Sequence, residues 1–202
     1  MRYIYFLCIL FSMQICHTVE VSLNNATYSD GIVSTDTGGI IAADELHIQA
    51  KHIQYTQQNS EKRIDAWGDI LVTYGNKIFV GKRVFYDFIS KKGVIYGGKI
   101  AIGIWHISGS RIELYPDDTY RIFDAVITTS ERQNPLFAMC GQRVDIEKNV
   151  LLAQSLQLQC RGRPYLILPK YSTNLQRLWK EPLLQYKLSQ ESLSLIHISE
   201  PT

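Results

Sequence analysis

The chain has 202 residues, 46% hydrophobic and 20% charged, which suits one domain of ordinary size with short extras. Its 21 basic and 19 acidic residues leave a formal net charge of +2, too balanced for a nucleic-acid footprint. Twelve tyrosines, with abundant Ile and Val, favour strands over helices.

The chain opens as a secretory signal over residues 1–18. Arg2 supplies a positive start, and Ile4 to Ile15 is an apolar run too short for a membrane span. Cleavage after about Thr18 is expected, with an uncleaved anchor as the alternative because no small-x-small site is present. Cys16 does not read as a lipidation site, since Met13-Gln14-Ile15 lacks the small residue one needs. Residues 19–39 are mostly polar or small and predict a loose lead-in. Asn25-Ala26-Thr27 matches a glycosylation acceptor but stands without other signs of that route.

Strands are then predicted in close order. Ile41 to Ala50 and His52 to Gln57 flank a short break, and Asn59-Ser60-Glu61-Lys62 is a turn. Arg63 to Tyr74 is a long strand, Gly75-Asn76-Lys77 a hairpin turn, and Ile78 to Tyr86 the return. Gly93 to Ile104, Trp105 to Leu114, Tyr120 to Thr128, Leu136 to Ile146 and Leu151 to Gln159 follow. Gly97-Gly98, Gly103 and Gly109 read as bulge or corner positions. Tight turns at this spacing imply antiparallel neighbours, an all-β fold and a stack along one axis with open edges.

Period-two alternation selects an inward face: Leu46, Ile48, Ile64, Ala66, Ile70, Val72, Ile78, Val80, Val84, Tyr86, Ile107, Ile112 and Ile122. By periodicity alone this face is an ordinary core. Catalytic signals are missing, so the chain is read as no enzyme, with neither cofactor nor metal. His47 and His52 approach across a turn, but no carboxylate or cysteine completes a site. Asp65 and Asp69 share an outward, solvated face. Arg161, Arg163 and Lys170 form a modest basic cluster, either a solvated loop or a contact for anionic headgroups. Of four cysteines, Cys8 and Cys16 lie in the signal; Cys140 and Cys160 are a candidate disulfide or two free thiols.

One ordered set of short patterns narrows the reading. It begins with Ile41-x-Ala43-x-x-Leu46-x-Ile48 and Ala66-x-Gly68-x-Ile70-x-Val72. It continues with Gly81-x-x-Val84-x-Tyr86-Asp87, then Lys92-Gly93-Val94 with Gly97-Gly98. Residues 40–171 thereby resemble the OstA-like jelly roll of lipopolysaccharide-transport proteins. Ile127-Thr128-Thr129-Ser130 with Asn134-Pro135, and Arg163-Pro164-Tyr165-Leu166-Ile167-Leu168-Pro169-Lys170-Tyr171, resemble segments of the LPS-assembly (LptD) branch. Ser130 stands where many relatives carry Cys, which puts in doubt any disulfide built there; Gly141, where Ala is usual, changes little.

The resemblance implies an elongated antiparallel β-jelly roll at the periplasmic face of the outer membrane. It would receive lipopolysaccharide (LPS) from an LptA-like bridge protein by edge-strand pairing near Ile40 to Ala50. Acyl chains would pass along the inward face to a C-terminal barrel that an LptE-like lipoprotein partners. Residues 172–192 would begin the junction to that barrel. Residues 193–202 resemble a translated sequencing-adapter end, so native sequence is expected to stop near Ser192. The alternatives are a free-standing LptA-like shuttle, and a surface carbohydrate-binding β-solenoid using Trp67 and Trp105 as platforms.

Overall fold

The structure is a computed structural model that describes residues 19–58, 61–132 and 134–175; the expected signal, most of the junction and the adapter-like tail lie outside these. The described residues form sixteen strands and no helix. The first eight are β1 (Glu20–Leu23), β2 (Thr27–Ser29), β3 (Ile32–Thr35), β4 (Gly39–Ala43), β5 (Leu46–Ala50), β6 (His52–Gln58), β7 (Glu61–Tyr74) and β8 (Lys77–Asp87). Then come β9 (Lys92–Tyr96), β10 (Lys99–Ile102), β11 (Trp105–Ser108), β12 (Arg111–Tyr115), β13 (Thr119–Thr128), β14 (Phe137–Glu147), β15 (Val150–Cys160) and β16 (Arg163–Asn174).

All pairings are antiparallel, and six long strands serve two layers at once. In the first layer the order is β1-β4-β5-β7-β8-β10-β11-β13-β14-β15-β16. In the second, β2-β3-β6 lead into the other half of β7 and β8, then β9-β12 lead into the other half of β13. Each long strand therefore bends from one layer into the other, which makes an all-β antiparallel jelly roll. Eleven rows in each layer, at ~4.8 Å per step, give a stack of roughly 48 Å.

The bends fall where backbone geometry allows them. In β7 the register shifts between Trp67 and Ile70, where Gly68 and Asp69 adopt φ of 78° and 51°. Asp124 in β13 and Ser155 in β15 also take positive φ between their two paired halves. The glycine corners were anticipated. Gly109 sits against the backbone of β13, where an added Cβ would lie 2.6 Å from the Phe123 carbonyl oxygen. Its N–H donates to the Gly98 carbonyl at 3.0 Å, tying the two corners of β9–β10 and β11–β12 together.

The predicted strands Gly93 to Ile104 and Trp105 to Leu114 each divide between the layers, as β9–β10 and β11–β12, and two further expectations change. The lead-in is not loose, because β1, β2 and β3 fold there and become the edge of the stack. Ile41 to Ala50 is not one strand but the hairpin β4–β5, turned at Asp44, whose φ is 50°.

Between the layers lies one continuous apolar cluster. Ile48, Ile53, Ile64, Val72, Phe79, Ile95, Ile112 and Ile122 are fully enclosed. Contacts across the layers pin its centre. Tyr120 of the second layer meets Phe79 and Tyr74 of the first edge-to-face, at 5.2 and 6.4 Å between ring centroids.

Candidate functional site: the interior and its mouth

Along one side of the stack the bends close the sandwich; along the other, the hairpin turns of both layers form two facing rims. The first layer contributes Asp44-Glu45 and Gly75-Asn76, and the second Phe88 to Lys91 and Pro116 to Asp118. Three contacts cross the mouth between them. Lys91 Nζ lies 3.6 Å from Asp44 Oδ2, and Lys77 Nζ lies 3.6 Å from Asp118 Oδ2. The Tyr74 hydroxyl donates to the Tyr115 carbonyl at 3.4 Å. Lys77 is only 6% exposed, and it also donates to Asn76 Oδ1 at 2.8 Å.

These contacts are weak individually. The Lys91–Asp44 pair is open to solvent on both sides, and such pairs contribute ~0–1 kcal/mol. The tyrosine contact, at 3.4 Å, is longer than an ordinary O–H···O hydrogen bond. Behind the rim is a cavity of about 380 Å³, lined among others by Ala43, Leu46, Tyr74, Tyr86, Phe88 and Ile89. The mouth thus joins loosely held rims to apolar walls.

Both ends of the interior are partly open among the described residues, although Leu168 and Leu175 are buried at the last one. At the first end Val21 pairs with buried Ile41 on the inward face, yet is exposed. At the last, Leu166 extends the inward row Ile127–Met139–Leu158 and is 44% exposed, and Phe137, in step with Met139, is 59% exposed.

Of the inward face chosen by alternation, Leu46, Ile48, Ile64, Ala66, Ile70, Val72, Val84, Tyr86, Ile107, Ile112 and Ile122 are buried between the layers. Ile78 and Val80 are corrected: they point outward, 56% and 44% exposed. In β8 a bend at Gly81-Lys82 reverses the alternation, so Phe79 faces in on one side of it and Val84 on the other. Tyr120, Leu114, Ile95 and Trp105 also line the interior and were missed. Tyr120 shares the parity of Ile122 and Trp105 that of Ile107, so both were legible. Trp105 is buried with its indole N–H unpartnered, so it is no surface platform.

The other candidates disperse. Cys140 and Cys160 are free thiols. Cys140 pairs with Gln157 and Cys160 with Phe137, which puts them on opposite faces and roughly 10 Å apart along the strands, too far for a disulfide. Burial pushes the Cys140 thiol pKa up, away from thiolate reactivity. His47 pairs with Thr73 in the first layer, whereas His52 sits in the second against Trp67 and Asp36. Asp65 is held by Arg83, and Asp69 lies in the bend. Arg161 and Arg163 flank a turn, but Lys170 is seven residues further along β16, roughly 23 Å away, so no basic cluster forms. In the Thr-Thr-Ser segment, the Thr128 hydroxyl donates to the Phe137 carbonyl at 3.0 Å and accepts from the Ser130 N–H at 3.1 Å, clamping a turn.

No family model matches the chain, and no curated protein matches it. Among solved structures it is similar to LptH, the LptA homologous periplasmic component of the lipopolysaccharide transport device from Pseudomonas aeruginosa. The identity is 9%, over 78% of this chain and 94% of that one, with a TM-score of 0.29. The character of the site is read from this chain's own residues.

The rim tyrosines give the sandwich a pH limit. Burial, helped by nearby carboxylates, raises Tyr74 above its ordinary value and holds Tyr86 and Tyr120 well above the ordinary tyrosine range. Unfolded tyrosines ionise near pH 10, so their contribution is intact below about pH 10 and is lost as pH rises toward the folded values. Denaturant midpoints measured at pH 8 and pH 11 are expected to fall at the higher pH. Tyr120→Phe, which removes one of the three phenols, is expected to reduce that fall.

Proposed function

We propose that this chain is the periplasmic jelly-roll part of an LPS-assembly protein of the LptD type, carrying acyl chains in its interior. It acts by binding and relay and breaks no covalent bond. The observation that carries the reading is a single apolar interior that runs the length of the stack, is partly open at both ends among the described residues and is closed sideways by weak rim contacts. Burying one acyl methylene is worth ~0.8 kcal/mol, so a chain of ten or so outweighs the rim contacts severalfold. The ordered motifs from Ile41 to Tyr171 add the family resemblance, and its Thr-Thr-Ser and Pro-Tyr-Leu-Ile-Leu-Pro segments favour the assembly protein over a free shuttle.

In this reading the partners dock at the edges. β1 and β2 are the first strands of the two layers and β16 is the last of both. An LptA-like bridge would pair with β1 or β2, upstream of Ile40, and the barrel and its LptE-like partner would follow β16.

Locking the mouth tests the reading. With Asp44→Cys and Lys91→Cys joined by a short bis-maleimide, LPS loading is expected to fall at least tenfold, as measured by photocrosslinking to an azido-LPS. The unjoined double variant should load normally. Equal loading with the lock in place would show that acyl chains do not enter between these rims.

A further inference from the structure

One polar atom inside the sandwich has nothing to bind. The other buried rings of the cluster show the usual pattern: the Tyr55 hydroxyl meets Gln57 Oε1 at 3.4 Å, and the Tyr120 hydroxyl donates to the Asp118 carboxylate. Trp105 differs. It is 3% exposed, it belongs to the apolar cluster, and its indole Nε1 has no acceptor. Among the described residues it is the only member of that cluster with an enclosed side-chain nitrogen or oxygen and no partner. A buried N–H left unpaired bears its full desolvation cost, and an oxygen delivered to it recovers that cost.

Its place in the fold limits what could deliver that oxygen. Trp105 opens β11 directly after the Gly103-Ile104 turn, and β10, on the other side of that turn, pairs with β8. The turn therefore continues the first-layer rim beyond Gly75-Asn76. Phe79 pairs with Ile100, and Ile100 with Ile107. Lys77 and Trp105, each two residues nearer the rim, thus share the inward face two strands apart, roughly 10 Å. Lys77, buried against Asn76 and Asp118, marks the polar border of the mouth. Trp105 stands on the apolar side of that border, since its register neighbours Ile102, Ile107 and Ile127 are all buried.

These surroundings select a ligand class. A water needs roughly two to four polar partners, and the side chains around the indole offer one. A phosphate or a sugar would have to shed its hydration among isoleucines. The carbonyl of an acyl ester or amide meets both conditions. It accepts a single hydrogen bond, and it is joined to hydrocarbon that the isoleucines can bury.

We propose that the Trp105 indole N–H is a registration point for acyl lipids, donating to the ester or amide carbonyl at the head of an acyl chain. The proposal rests on the acyl-carrying reading above and adds which end of the chain lies where. The carbonyl sits at the rim, and the headgroup passes outward by Lys77 and Asp118. The methylenes run inward past Ile107 toward the bend at Gly109. A chain without the carbonyl is held less tightly, so the interior distinguishes acyl lipids from plain hydrocarbon.

Two probes that differ in this one group test it: lysophosphatidylglycerol with an ester-linked lauroyl chain, and its counterpart with an ether-linked dodecyl chain. The full chain, labelled with nitrogen-15 in its three tryptophans, is titrated with each while the indole N–H signals are followed by NMR. Trp105→Phe assigns the Trp105 signal; if that variant does not fold, Trp67→Phe and Trp179→Phe assign it by elimination. The ester is expected to move the Trp105 signal downfield and the ether to move it far less. The ester should also bind about fivefold more tightly than the ether, and that preference should vanish in Trp105→Phe. Equal binding of both probes with no difference in shift would overturn the registration point and leave the interior a lipid carrier. A preference retained in Trp105→Phe would overturn it as well. Binding of neither probe would also overturn it, and LPS crosslinking at Ile70 then shows whether lipid carriage falls with it.

Discussion

Phe79→Ala is expected to cost about 3–5 kcal/mol of stability, while Ile78→Ala, one residue away, changes it by less than about 0.5 kcal/mol. Plain alternation along β8 predicts the opposite, with Ile78 and Val80 on the core side. Phe79 is enclosed and packs on Tyr120, whereas Ile78 is more than half exposed. Truncating Phe79 removes a ring from between the layers and leaves a space that two twisted sheets cannot collapse to fill. The two variants compared by urea denaturation give the register of β8 directly. Equal midpoints, or a larger loss at Ile78, would place the bend at Gly81-Lys82 wrongly.

Tyr120→Ala is expected to lower stability by a similar 3–5 kcal/mol and also to loosen the mouth. Tyr120 touches Phe79 and Tyr74 across the layers and donates to the Asp118 carboxylate, which in turn faces Lys77. One side chain therefore links the packed centre to the rim. Tyr120→Phe keeps the ring and removes only the hydroxyl, for about 1 kcal/mol. Hydrogen exchange should separate the two effects. In Tyr120→Phe the rim amides near Gly75 and Asp117 are expected to exchange faster while those of Val72 and Ile122 stay protected. Unchanged rim exchange would mean that the Tyr120–Asp118 bond does not hold the mouth.

Much of the architecture was legible because strand periodicity and turn chemistry are local. The hairpin at Gly75-Asn76 and the corners at Gly97 and Gly109 carry residues that such geometry requires. The β4–β5 turn was invisible because Ala43-Asp44-Glu45-Leu46 has no Gly or Pro, and Asp44 takes the positive φ itself. The strands of residues 20–35 were hidden by polar composition, since at the end of a stack they bury little. Face assignments survived wherever a bend preserves parity, as from Ala66 to Ile70 in β7, and failed at Gly81-Lys82, where it does not. The mouth contacts depend on which strands become neighbours, and no single-strand pattern contains that.

The central claim is that the interior holds acyl chains, and paired photocrosslinking tests it most directly. A photoreactive leucine analogue would be placed at Ile70, buried between the layers, and separately at Leu71, on the outer face, in protein ending at Ser192. After loading with LPS, crosslinking is predicted at position 70 and not at 71. Crosslinking at 71 alone, or at neither in folded protein, would contradict the account and make the interior an ordinary core.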